Sequence, residues 1–145
     1  MLVPDAFDGG HHAATLFNAV PPDFSPDGSK LAYLGYIPSL GREVIIAPAS
    51  GGKPIRMFPA ETLGPLMGGL HWAPDSKALD YSKEQNGADN IWRLPLNGGA
   101  PKKLTHFGSG HIWQFAWSPD GKKLALTRGP VSQDVVIIRD ISSPR

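Results

Sequence analysis

The 145-residue sequence has no cysteine, which excludes disulfides and thiol chemistry. That absence suits the cytoplasm and the periplasm alike. Charge of one sign is lacking too, since 14 Lys and Arg face 13 Asp and Glu spread along the chain. Nothing in that balance offers a footprint for nucleic acid or favours an acidic polymer as partner. No apolar run approaches the ~20 residues of a membrane span, so no membrane insertion by this chain is expected. The first residues lack a basic segment followed by an apolar core, and no signal peptide is expected among them. No long stretch carries apolar residues at i, i+3, i+4 and i+7, so no helix is expected either.

Punctuation is what the sequence has in abundance. Its 17 glycines and 15 prolines exceed a fifth of the chain, against a hydrophobic share of 41%. They fall between apolar runs rather than inside a polar tract, which is turn-rich all-β composition and not disorder. One unit recurs three times: an aromatic-ended strand, a turn, and a second strand. The turns are Ser25-Pro26-Asp27-Gly28, Ala73-Pro74-Asp75-Ser76 and Ser118-Pro119-Asp120-Gly121. Proline presets φ at the second turn position, aspartate can accept from nearby backbone N–H groups, and glycine tolerates positive φ where the chain rejoins a strand. The three prolines are about 48 and 45 residues apart, near the repeat length of a propeller blade. A second marker keeps the same beat: Gly51-Gly52 and Gly98-Gly99 are about 47 residues apart, with Gly9-Gly10 upstream. Two unlike markers in fixed order at one period make the chain a tandem repeat.

These spacings predict antiparallel four-stranded blades, about three of them in an open or partial arc. Residues 1–18 read as the end of a preceding blade, 19–59 as a full blade, 60–68 as a loop and 69–107 as a second full blade. Residues 111–145 read as a three-stranded C-terminal blade, its strands at 111–117, 123–128 and 134–141. Closed propellers use about four to eight blades. The segment is therefore expected to be the C-terminal part of a larger protein. An unpaired edge at Val135-Val136-Ile137-Ile138 suggests self-association when the chain is expressed alone.

The aromatic-Ser-Pro-Asp-Gly-Lys turn at 117–122 and the run Ile91-Trp92 through Gly98-Gly99 to Leu104-Thr105 carry a family resemblance. They resemble the TolB-type, WD-like β-propeller repeat, especially as it occurs in C-terminal propellers of bacterial serine/threonine kinases and winged-helix regulators. That resemblance implies a sensing or interaction platform without catalytic residues, and an extracytoplasmic setting such as the periplasm. Ser76 departs from the turn glycine, and Asp80 stands where the other repeats have Ala32 and Ala125.

The chemistry-bearing residues fit that expectation. Gly108-Ser109-Gly110-His111 lacks the first glycine of a nucleophile elbow and the helix that must follow it. Gly51-Gly52-Lys53 lacks the upstream glycine of a phosphate-binding loop. Neither His11-His12 nor His71, His106 or His111 sits in an H-E-x-x-H pattern, so no metal or other cofactor is expected. Pro26, Asp27, Gly28, Pro74, Asp75, Pro119, Asp120, Gly121 and both glycine pairs read as structural turn residues. Trp72 and Trp117 recur at one register before the turn, as core residues between blades would. Trp113 breaks that register and is, with neighbouring His111, the candidate binding surface. The expected function is a non-catalytic module for a protein, peptide or small ligand. The alternative is a substrate-gating propeller fragment of a peptidase resembling prolyl oligopeptidase.

Overall fold

A computed structural model describes residues 20–66 and 68–130. The expected strand at 134–141, the edge at 135–138, the blade end at 1–18 and His11-His12 lie outside the described residues. Within them the first sheet is β1 (Asp23–Phe24), β2 (Lys30–Ile37), β3 (Gly41–Pro48) and β4 (Arg56–Pro59), antiparallel and in sequence order. The second repeats it with β5 (Leu70–Trp72), β6 (Ala78–Gln85), β7 (Ala88–Pro95) and β8 (Lys102–Lys103). The third contributes β9 (His111–Trp117) and β10 (Leu124–Gly129). The first two sheets are four-stranded propeller blades, and the third shows two strands among the described residues. The first strand begins only at Asp23, because Pro21 and Pro22 have no N–H to give a ladder.

The three inner hairpins close in one way. Ser25, Ala73 and Ser118 each accept a bond from the N–H three residues on, at 2.7, 3.0 and 2.8 Å. The aspartates Asp27, Asp75 and Asp120 each use Oδ1 to accept the N–H two residues further, at 3.0, 2.9 and 3.1 Å. The last turn position has φ of 71° at Gly28, 58° at Ser76 and 67° at Gly121. Ser76 sits in this left-handed region at a cost, and its side chain supplies a return. Its Oγ accepts the Asp27 N–H of the preceding turn at 3.1 Å. On the other side, a Cβ on Gly121 would lie 2.6 Å from Pro74 Cβ. The repeated turns therefore stack on one another, and the sequence departure at Ser76 is one of the joints.

The seams between blades differ in character. Between the first and second, Leu34, Val44, Ile46, Trp72, Leu79 and Tyr81 form a buried apolar cluster. Residues 60–68, expected as a plain loop, feed it: a 3-10 turn at Ala60–Thr62 and the residues after it bury Ala60, Leu63 and Leu66. Trp72 is 3% exposed and its indole N–H donates to the Asp23 carbonyl of the preceding blade at 2.9 Å. Between the second and third blades the apolar cluster is smaller, built on Ile91, Ile112 and Phe115.

A polar bolt makes up the difference. Asp80 is fully buried on β6 and faces Arg93 across the ladder to β7. Arg93 Nε and Nη2 donate to its two oxygens at 2.7 and 2.8 Å. Trp117 Nε1 donates to the same carboxylate from the third blade at 2.8 Å, and Arg93 lies over the Trp117 ring at 5.6 Å. Trp117 is thus a bridge with a partly exposed ring rather than a core residue like Trp72. The bond to Asp80 raises the pKa of Arg93 further above its ordinary value.

Removing each partner separately tests the bolt. Arg93→Ala strands a fully buried carboxylate and should cost about 3–5 kcal/mol in urea unfolding. Asp80→Ala leaves an arginine whose side chain is 27% exposed and can reach water, so the loss should be smaller, about 1–3 kcal/mol. Equal losses, or a larger loss for Asp80→Ala, would contradict the arrangement. The turns generate a pH prediction. Hydrogen bonds from Ser25 and Ser29 hold the Asp27 carboxyl far below its ordinary 3.8, and bonds from Ser118 and Lys122 lower that of Asp120. A depressed folded-state pKa stabilises above the unfolded value and is lost as pH falls through the folded one. Stability should decline as pH drops below about 4. The Asp27→Asn, Asp120→Asn variant keeps the acceptors without the charges, so its urea midpoint should fall less between pH 5 and pH 2.5. An equal fall in both proteins would exclude these groups as the cause.

Candidate functional site

Trp113 owes its position to a break in the ladder. Along β9 and β10 the partners run Leu124 with Trp117, Ala125 with Ala116, Leu126 with Phe115 and Thr127 with Gln114. The next pair is Arg128 with Ile112, so Trp113 has no partner. It is the extra residue of a β-bulge, a device that re-aims a side chain and terminates regular pairing. The bulge lets Ile112 and Phe115 share the buried cluster although they are an odd number of residues apart. It also leaves Trp113 46% exposed.

The start of β9 is fastened to the second blade by Asp89. Its backbone N–H donates to the Gly110 carbonyl at 2.9 Å, and its Oδ2 accepts the Ile112 N–H at 2.8 Å. His111 Nδ1 lies 3.4 Å from the same Oδ2, and the His111 and Trp113 rings are 6.1 Å apart, tilted by 36°. The structure thus brings the two candidate binding residues together. Nothing local in the sequence marks Asp89, an ordinary residue after the Asn86-Gly87 hairpin turn. A cavity of about 370 Å³ is lined by Pro65, Ser82, Glu84, Asp89, His111, Ile112 and Trp113. Gly68 packs against one of these lining residues: a Cβ there would meet Ser82 Oγ at 2.6 Å, and its N–H donates to that oxygen at 2.8 Å.

Trp113 also borders a second, more open cavity of about 430 Å³, with His71, Phe115 and Leu126 among its walls. His71 packs edge-on against Phe115, with ring centroids 4.9 Å apart at 81°. Its Nδ1 is 3.4 Å from Asp23 Oδ2. Burial alone would raise the Asp23 carboxyl, but bonds from His71 and the Trp72 N–H outweigh it and leave the group below its ordinary value. His106 is exposed on the surface. Among the described residues, no three His, Asp or Glu stand close enough to hold a metal ion. The turn residues take the structural positions described above, and Gly51, Gly52 and Gly98 adopt φ of 87°, 106° and 92° in their hairpin turns. The site can therefore offer a rigid aromatic face, two carboxylates and an imidazole along one seam between blades.

No protein-family model matches the chain. Among curated proteins, it is 32% identical over 79 residues to tricorn protease homolog 1 of Streptomyces coelicolor, covering 45% of this chain and 7% of that protein. It is 30% identical over 89 residues to dipeptidyl-peptidase 5 of Porphyromonas gingivalis, covering 58% of this chain and 13% of that protein. Among solved structures, TolB from Acinetobacter baumannii superposes with a TM-score of 0.59 at 26% identity, over 81% of this chain and 29% of that one. A TolB structure from Agrobacterium tumefaciens gives 0.56 at 26% identity, over 82% of this chain and 40% of that one. The chain spans less than a seventh of either curated relative and less than half of either TolB chain. In fold, these antiparallel blades are those of a TolB-like β-propeller.

Proposed function

We propose that this chain is a non-catalytic propeller module that binds a protein or peptide segment at the seam between its second and third blades. The observation that carries this is Trp113, a half-exposed indole on a bulge between two adjoining cavities. Exposed, rigidly mounted tryptophans supply large contact area at low entropic cost and are enriched at binding hot spots. Chemistry is disfavoured by the surroundings. Ser82 shares a cavity with His111, yet it is 3% exposed and its oxygen takes the Gly68 N–H. An activated serine needs a base within about 3 Å, and no hydrogen bond joins Ser82 to His111. In this role the module serves a larger bacterial protein, such as a membrane-anchored kinase or winged-helix regulator, as its extracytoplasmic sensor.

One observation favours a second role. Both curated relatives carry peptidase names, and a propeller in such a protein would hold or gate a substrate peptide for a separate catalytic domain. The chain's own task, peptide binding without cleavage, is common to both. Incubating the purified chain with a random peptide array should reveal a bound subset. Affinity for that subset should fall about tenfold or more in Trp113→Ala. Mass spectrometry should find every peptide intact. No bound peptides, equal binding by the variant, or cleavage that depends on one named side chain would overturn the proposal.

A further inference from the structure

The cavity beside Trp113 is lined by two carboxylates, Glu84 and Asp89, with the His111 imidazole against one of them. Glu84 on β6 and Asp89 on β7 are direct cross-strand partners. Like charges placed opposite each other destabilise a ladder, and a cation beside them would relieve that repulsion. The Asp89 side chain is 7% exposed, and its Oδ2 is occupied by the Ile112 N–H and the His111 contact. Its Oδ1 has no donor among the described residues, although both carboxylates line the cavity. Glu84 gives one oxygen to the Gly87 N–H at 2.7 Å and is otherwise exposed. Trp113 forms the remaining aromatic wall.

The same chain shows what completes such a set. At Asp80, a guanidinium makes two bonds to a buried carboxylate while lying over an indole ring. A planar guanidinium suits this combination because it forks onto a carboxylate and stacks on an aromatic face together, which an ammonium cannot do as well. Asp89 and Trp113 supply the carboxylate and the indole, with Glu84 as a second anion. Among the described residues, no arginine lines this cavity. We propose that this cavity receives an arginine side chain from a partner peptide. The assignment deepens the peptide-binding role proposed above and rests on it.

Short acetylated, amidated peptides of Gly and Ser around a central Arg, Lys, citrulline or norleucine test it by calorimetry and by the NMR shift of the Trp113 indole N–H. The Arg peptide should bind about tenfold tighter than its citrulline counterpart, and Lys should fall between. Asp89→Asn keeps an acceptor for the Ile112 N–H while removing the charge. It should abolish the preference for Arg over citrulline, as should Trp113→Leu, with Glu84→Gln weakening it. Equal binding of Arg and citrulline peptides, or a preference that survives Asp89→Asn, would overturn the arginine assignment and leave peptide binding intact. Failure of all four peptides to bind would overturn the assignment as well. If the random array then also yielded no bound peptide, the broader role would fall with it.

Discussion

A fully buried carboxylate sits at the centre of this structure. Asp80 occupies a middle strand where the other repeats carry alanine, and burying an isolated charge there would cost several kcal/mol. The charge persists because a forked arginine and an indole N–H saturate it, one from the neighbouring strand and one from the next blade. The first seam needs no such device, since Leu34, Val44, Ile46, Trp72 and their neighbours exclude water from a large apolar contact. Directional bonds cross both seams, but the second has fewer apolar groups and adds the buried ion pair. A seam defined by several short bonds tolerates little slip.

That rigidity passes to the candidate site. Asp80 holds the far end of β9 through Trp117, and Asp89 holds its near end through the Gly110 carbonyl and the Ile112 N–H. Between these anchors the strand has one residue more than its partner, and Trp113 is the surplus. A bulge pinned at both ends presents its side chain in a fixed direction without spending binding energy on ordering it. The buried carboxylate of Asp89, hydrogen-bonded through one oxygen, then has a chemical meaning that a freely moving loop acid would not have.

The repeat and the blade type were legible in the sequence because they rest on local chemistry. Proline, aspartate and glycine shape their own turns, and the alternation of apolar residues follows from strand geometry within a few positions. Trp113 was visible as a misfit, since it breaks the tryptophan register of Trp72 and Trp117. Asp80 was visible as a departure without a role, because Arg93 and Trp117 lie 13 and 37 residues away and only the register brings them together. Asp89 gave no signal: its partners come from the next blade, and nothing local marks a residue that binds the N–H of Ile112. Residues 60–68 read as loop because their glycines and prolines mask Leu63 and Leu66, which fill a core formed by strands distant in sequence.

The central claim is that the bolt at Asp80 fixes the third blade on the second and so preorganises the Trp113 bulge. Hydrogen exchange of the native protein against Asp80→Ala tests this most directly, residue by residue. Protection should be lost selectively at the backbone amides of β9 and β10, Ile112 included, while β2 and β3 keep theirs. Uniform loss across both regions, or unchanged protection in β9, would contradict it.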